Sequence, residues 1–237
     1  MTIPPISRQF LAEVMEPTWP AKSHSRLGPF CLRDGAGGGK RVSAATAEGD
    51  WTISDLEAVE AAMQKPLFAI REGDEALDSA LAAKGYHLID PVVIYRSAVT
   101  DLQAEIPDMA ALPHWPPLAL AVDIWAEGDI SADRLAVMAR VNGPKTALIA
   151  RHGERLSAVA FAACQGKEAM LHALVVRPNA RRQGIALGLM HGAANWAGQS
   201  GAEFLSLVVT EQNIAARGLY ARLGMQLMGR YHYRIRG

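Results

Sequence analysis

The sequence predicts a mixed α/β fold of the α+β type: a largely antiparallel sheet flanked by helices, built as two related lobes. Three observations carry that expectation. Residues 145–176 hold three apolar runs, "KTALIAR", "LSAVAFAACQ" and "AMLHALVV", separated only by the polar turns "HGE" and "GKE". That spacing is the mark of an antiparallel meander, and it contradicts a doubly wound parallel domain, whose strands need long crossovers. Two further apolar runs, "PLFAIR" and "EFLSLVVT", are each followed by a helical pattern and another strand. Finally, "LAAKGYHLIDPVVIYR" and "LYARLGMQLMGRYHYRIR" both run helix, glycine, strand, turn, strand; aligning Gly85 on Gly224 sets Leu81 opposite Tyr220.

Taken in order, residues 1–97 make the first lobe. "PFCLR" and "RVSAATA" read as strands around the glycine-rich turn "DGAGGGK", a hairpin. In "ISDLEAVEAAMQ" the helical spacing of Leu56, Val59 and Met63 predicts a helix, with Ser54 as N-cap and Glu57 completing a capping box. The strand "PLFAIR", the helix "DEALDSALAAKG" and the strand "DPVVIYRS" follow. Residues 98–117 contain four prolines and no regular period, and read as a linker. The second lobe, residues 118–237, opens with the helix "ISADRLAVMARVN" and the meander. A helix with Leu187, Met190, Ala194 and Ala197 on one face then ends at Gly201. After "EFLSLVVT", the helix "NIAARGLYARLG" is capped by Asn213 and stopped by Gly224, and "MQLMGRYHYRIR" closes the lobe as strand.

Composition removes several function classes. Acidic and basic residues balance at 24 each, so no general electrostatic case exists for a nucleic-acid or anionic-membrane partner. Cys31 and Cys164 belong to no CxxC pair and the seven histidines are scattered, so neither a disulfide framework nor a metal site is expected. The first twenty residues lack an apolar signal core, and no apolar run approaches the roughly 18 residues of a membrane span. The expectation is a soluble cytoplasmic protein.

The stretch that carries chemistry is "LVVRPNARRQGIALGLM", residues 174–190: a strand, a basic loop with one glycine, and a helix. Amide N–H groups at the start of a helix have no intrahelical partner and the helix dipole is positive there, so such a loop attracts phosphate. Arg181, Arg182 and Gln183 add donors, and Gly184 lets backbone approach a diphosphate closely. The other glycine-rich stretch, "DGAGGGKR", fails the G-x-x-x-x-G-K-[ST] pattern at Asp34 and Arg41, and reads as a flexible hairpin.

"VVRPNARRQGIA" resembles the acetyl-CoA-binding signature of the GNAT superfamily of N-acetyltransferases, with Arg181, Gly184 and Ala186 in the R/Q-x-x-G-x-G/A positions. "NIAARGLYARLGM" resembles the family's N-x-x-A-x-x-x-Y-x-x-x-G-F segment, with Met225 in place of Phe. The resemblance covers about residues 118–237. It implies that the amides of Arg182, Gln183, Gly184, Ile185 and Ala186 hold the diphosphate. The stretch Leu174, Val175 and Val176 would meet the pantetheine arm, chiefly through backbone groups of Leu174 and Val176, with Asn213 nearby.

For the reaction, the resemblance implies Tyr220 as the acid that protonates the departing thiolate. Met170 stands where some members place a glutamate base, and His172, two residues along, is the substitute candidate for that proton. No cysteine occupies a motif position, so direct transfer without a covalent intermediate is expected. The first lobe lacks the signature loop and resembles the degenerate half of a tandem protein of this family. The resulting expectation is an N-acetyltransferase that uses acetyl-CoA, without a metal, on a small-molecule or peptide amine. The rival is a non-catalytic acyl-CoA sensor. Acceptor identity and oligomeric state are not legible in the sequence.

Overall fold

A computed structural model describes residues 10–236. The first half runs β1 (Ser23–Leu27), β2 (Phe30–Asp34), β3 (Thr46–Ala47), α1 (Ile53–Ala62), β4 (Leu67–Arg71), α2 (Glu75–Ala83) and β5 (His87–Ala98). The second half runs β6 (Leu112–His114), α3 (Ala119–Glu127), α4 (Ala132–Arg140), β7 (Lys145–His152), β8 (Arg155–Gln165), β9 (Glu168–Val176), α5 (Ile185–Gln199), β10 (Phe204–Thr210), α6 (Ile214–Arg222) and β11 (Gln226–Ile235). Short helical turns at Leu11–Met15 and Glu16–Thr18 precede β1.

Eight strands form one sheet in the order β4, β11, β5, β10, β9, β8, β7, β6, and β1 to β3 form a smaller sheet. All pairings in the large sheet are antiparallel except β9 with β10. The residues expected as a first lobe and those expected as a second therefore share this sheet: β5 lies between β10 and β11, and β11 separates β4 from β5. A shift of 139 positions, the interval from Gly85 to Gly224, carries Glu75–Ala83 onto Ile214–Arg222 and the start of β5 onto the start of β11. The pairing obeys the same shift, since Gln226 faces Arg96 and Ile235 faces His87. The two strand-helix-strand units thus exchange their last strands about a local two-fold axis.

Several local expectations are corrected. The stretch read as a linker supplies β6, an edge strand in which Pro113 costs no ladder bond on its solvent side. It is also held along α5, where the His191 imidazole Nδ1 donates to the Leu102 carbonyl at 2.7 Å and Asn195 donates to that of Ala104 at 2.8 Å. The tight hairpin is β1 with β2, turning at Gly28, whereas β2 and β3 pair at only two positions. The intervening glycines lie flat on α4: a side chain on Gly37 would overlap Asp133, and one on Gly38 would overlap Val137. The cap of α1 is Thr52, in a capping box with Asp55, two residues earlier than the sequence suggests. Helix α3 went unread because its apolar residues give no clean stripe; Ala121, Ile124 and Trp125 are all fully buried.

Two faces of the sheet carry separate cores. On one, α5 buries Leu189, Met190, Ala193, Ala194 and Ala197 against Leu171, Leu205 and Leu207, with Tyr220 of α6 in the same cluster. Leu187, expected on that stripe, is 39% exposed instead. The other face packs Trp125, Val137 and Met138 of α3 and α4, together with Trp19, against Phe161.

Candidate active site

The site begins where the sheet opens. Strands β9 and β10 pair from Phe204 opposite Glu168 to Leu207 opposite Leu171, and then part. Past that point β9 stays with β8, Val175 facing Val159, while β10 stays with β5, Val209 facing Val93. The facing edges of residues 172–176 and 208–210 are left without strand partners, and Leu174, Val175, Val176, Val208 and Val209 are half-buried along them. Unpaired strand edges offer alternating donors and acceptors to an extended ligand.

A bulge creates the divergence. The register between β8 and β9 slips between Val159 and Phe161, and Ala173 takes a positive φ of 49° to accommodate it. Its carbonyl accepts a hydrogen bond from the Trp125 indole at 2.8 Å. Strict alternation would put His172, Leu174 and Val176 on one face. The bulge instead turns Leu174 and Val176 toward Tyr220 and leaves His172 among Trp19 and Phe161 on the other face.

Beyond Val176 the chain makes a turn at Pro178–Ala180 and enters α5 through the basic loop. Arg182 and Gly184 adopt positive φ of 64° and 78°, and Gly184 is the N-cap of α5 with no side-chain cap. Among the described residues, the amides of Arg182, Gln183 and Gly184 donate to no backbone carbonyl. Those of Ile185 and Ala186 fall in the first helical turn, where no intrahelical acceptor exists. This is an exposed run of free donors at the positive end of a 15-residue helix, an arrangement that attracts anions. Arg181 braces it through a 3.2 Å bond from Nε to the Val176 carbonyl, and Gln183 donates to that of Asn179 at 3.3 Å.

Tyr220 closes the opposite side. It is 7% exposed, packs in one cluster with Leu174, Val176 and Val209, and its ring lies 5.5 Å from that of Tyr95. Burial, with Tyr95 adding to it, pushes its phenol up to about 12, so it stays a donor at neutral pH. Asn213, three residues before Ala216, spends its side-chain oxygen on the Ala216 amide at 3.1 Å as the cap of α6.

His172 stands apart from this group. It is 5% exposed, with both nitrogens engaged: Arg41 Nη1 lies 3.1 Å from Nδ1, and Thr18 Oγ1 lies 3.1 Å from Nε2. A guanidinium only donates, so Nδ1 must accept; Nε2 then carries the proton and donates to Thr18, whose hydroxyl donates to the Val14 carbonyl at 2.8 Å. Burial, reinforced by the Arg41 charge, holds the imidazole well below its usual range. It is a neutral, desolvated ring with no free lone pair. Cys164 is likewise buried, its thiol pushed up to about 11 by burial, and offers no nucleophile.

Residues 107–225 match the model of the acetyltransferase (GNAT) family. The chain belongs to that family. Its members transfer an acyl group from an acyl-CoA, and the parted strands and the free amides of the α5 loop fall within the matched residues. A protein of Bacillus subtilis (strain 168) described as the uncharacterized N-acetyltransferase YobR is 25% identical, over 92% of this chain and 94% of its own. Two solved structures share the fold. A functionally unknown conserved protein from Staphylococcus epidermidis ATCC 12228 has a TM-score of 0.70 at 11% identity, covering 92% of this chain and 94% of its own. A GCN5-related N-acetyltransferase from Kribbella flavida has a TM-score of 0.66 at 16% identity, covering 93% and 91%. The likeness extends across both halves of the chain, not the family segment alone. Among the described residues no group of three or more His, Cys, Asp or Glu could hold a metal, and no helix is long and apolar enough to cross a membrane.

Sequence reasoning missed Tyr95, Thr18, Trp19 and Arg41. None carries a local signal: Arg41 and His172 are 131 positions apart and meet only through the tertiary fold.

Proposed function

We propose that the chain transfers the acetyl group of acetyl-CoA directly to the neutral amine of a small molecule or peptide. The observation that carries this reading is the opening between β9 and β10, with the uncapped α5 loop at its mouth and the protonated Tyr220 phenol packed against its wall. The diphosphate would sit on the amides of residues 182–186, and the pantetheine would run between the free edges of β9 and β10. The amine nitrogen attacks the thioester carbonyl carbon; a C–N bond forms, the C–S bond breaks, nitrogen loses one proton and sulfur gains one. Tyr220 stabilises the developing thiolate by donating to it and supports its protonation.

His172 is poorly suited to take the amine's proton, since its only unprotonated nitrogen accepts from Arg41. Met170 offers no base at the position where some members of the family carry a glutamate. The amine is therefore expected to enter already neutral. The rate at subsaturating amine then rises with pH along the acceptor's own pKa, and two acceptors of different pKa shift the profile accordingly. A profile common to both would point to a base on the protein.

The first half is read as a degenerate copy of the second, consistent with the shared 139-residue shift and the swapped strands. It braces the sheet, and removing residues before Ala98 would expose the edges of β10 and β11. The absence of a carboxylate at Met170 favours one second reading, a sensor that binds acyl-CoA without turnover. Measuring free thiol released from acetyl-CoA across an amine panel separates the two. Saturable, amine-dependent release supports the transferase; calorimetric binding with no release for any amine supports the sensor; and no binding sinks both.

A further inference from the structure

A second cavity lies on the His172 face of the sheet, lined among others by Glu16, Trp19, Arg33, Arg41, Arg71 and Tyr233. Three guanidiniums converge there, and two are matched. Arg33 pairs with Glu16, and Arg71 pairs with Asp74 and Glu48, each at 3.3 Å. Arg41 is different. Among the described residues it meets the neutral imidazole of His172 and the face of Trp19, 5.8 Å from the guanidinium carbon, its charge acts on the Tyr233 phenol, and no carboxylate pairs with it. Its Nε is buried with no hydrogen-bond partner. A buried donor left unmade is costly for a fold, and on a half-buried guanidinium without a carboxylate it leaves charge and a donor free for an incoming anion.

Size and position narrow that ligand. The cavity's free space, about 30 Å³, has room for a group the size of a carboxylate beside Arg41. His172 accepts from Arg41 without neutralising it, which orients the guanidinium and preserves its charge for an anion. The parting of β9 from β10 begins next to His172, on the strand against which Arg41 rests, while Tyr220 lies on the opposite face. An acceptor that approaches the opening from the Arg41 side has its amine toward the opening and its far end toward the guanidinium.

Resting on the acetyl-transfer reading, we propose that Arg41 binds a carboxylate on the acceptor, so that the substrate class is a small molecule carrying both an amine and a carboxylate, with His172 as the residue that positions Arg41. A bidentate guanidinium–carboxylate pair would satisfy Nε and fix the amine's approach.

The products of such a reaction serve as probes without any cosubstrate. N-acetylglycine, N-acetyl-β-alanine and N-acetyl-γ-aminobutyrate, each against its primary amide, are titrated by calorimetry into the wild type, Arg41→Gln and Arg41→Lys, with melting curves as the folding control. At least one acid is expected to bind tenfold or more tighter than its amide. That preference should vanish in Arg41→Gln and survive in part in Arg41→Lys. No acid binding, equal binding of acid and amide by the wild type, or a preference untouched in Arg41→Gln overturns the proposal; the wild-type comparison decides even where a variant fails to fold. Thiol release then separates this idea from the reading beneath it. Acid binding with no thiol release for any amine removes acetyl transfer and keeps the anion site, whereas turnover of amines irrespective of a carboxylate does the reverse.

Discussion

Helices α1 and α5 occupy matching places in the two halves. Each follows the third strand of an antiparallel meander, and each leads to a strand that pairs in parallel with that meander, through one Ala45–Phe68 bridge in the first half and four residue pairs in the second. Their N-termini are opposites. At α1 the Thr52 hydroxyl accepts from the Asp55 amide at 3.2 Å, the Asp55 carboxylate accepts from the Thr52 amide at 2.9 Å, and Glu48 and Asp50 stand in the approach. At α5 no side chain caps the helix, Gly184 holds the entry in a left-handed turn, and the nearby charges are Arg181 and Arg182. The contrast teaches that a helix start stays open when caps are withheld: side chains take the Thr52 and Asp55 amides at α1, and no side chain caps α5.

The largest break in that contrast is expected from Gly184→Asp, which brings a capping carboxylate and a negative charge to the loop while keeping a residue type that tolerates positive φ. Acetyl-CoA affinity should fall by about 100-fold or more by calorimetry, the scale of one lost charge-assisted seat plus repulsion. Tyr220→Phe follows. It should lower kcat by roughly 100-fold, the low end for a proton donor, and leave the acetyl-CoA dissociation constant within about twofold; an equal loss of binding would make Tyr220 a packing residue.

On the other side of the comparison, Thr52→Ala should cost about 1 kcal/mol of stability in denaturant melts and confer no acyl-CoA site on α1, because Asp55 and the acidic approach remain. The smallest effect concerns acid. The hydrogen bonds from Thr52 hold the Asp55 carboxyl below its usual range. A depressed folded pKa gives stability that is present above the unfolded value and is lost as pH falls through the folded one. Melts of Asp55→Asn against the wild type should therefore converge below about pH 4 and separate above it.

These contrasts show what the sequence could carry. The strand, loop and helix of residues 174–190, the helix that carries Tyr220 and the meander were legible because each is local: a glycine at a helix start, a period of two, a motif of a dozen residues. The bulge was not, since Ala173 takes a positive φ with no glycine to announce it, and its support comes from Trp125, 48 positions earlier. His172 was a candidate for the base because alternation puts it on the face of Met170, and the register keeps it there; what the bulge hides is that Leu174 and Val176 turn to the other face. The binding of His172 to Arg41 and Thr18 was equally out of reach, because both partners come from the other half of the chain. The cap of α1 was misplaced by two residues, a matter of Thr52 and Ser54 both being good caps in sequence.

The placement of β11 between β4 and β5 bears on how this chain emerges from a ribosome. Tyr231 pairs with Arg71 and Gln226 with Arg96, so the middle of the sheet is joined by contacts between strands translated far apart in time. Until β11 is made, β4 and the near side of β5 wait as open edges with nothing between them. Strands that close a sheet so late fold slowly and are exposed to pairing with other nascent chains. Dependence on a holding chaperone during synthesis is the expected biological cost of closing one sheet with its last strand.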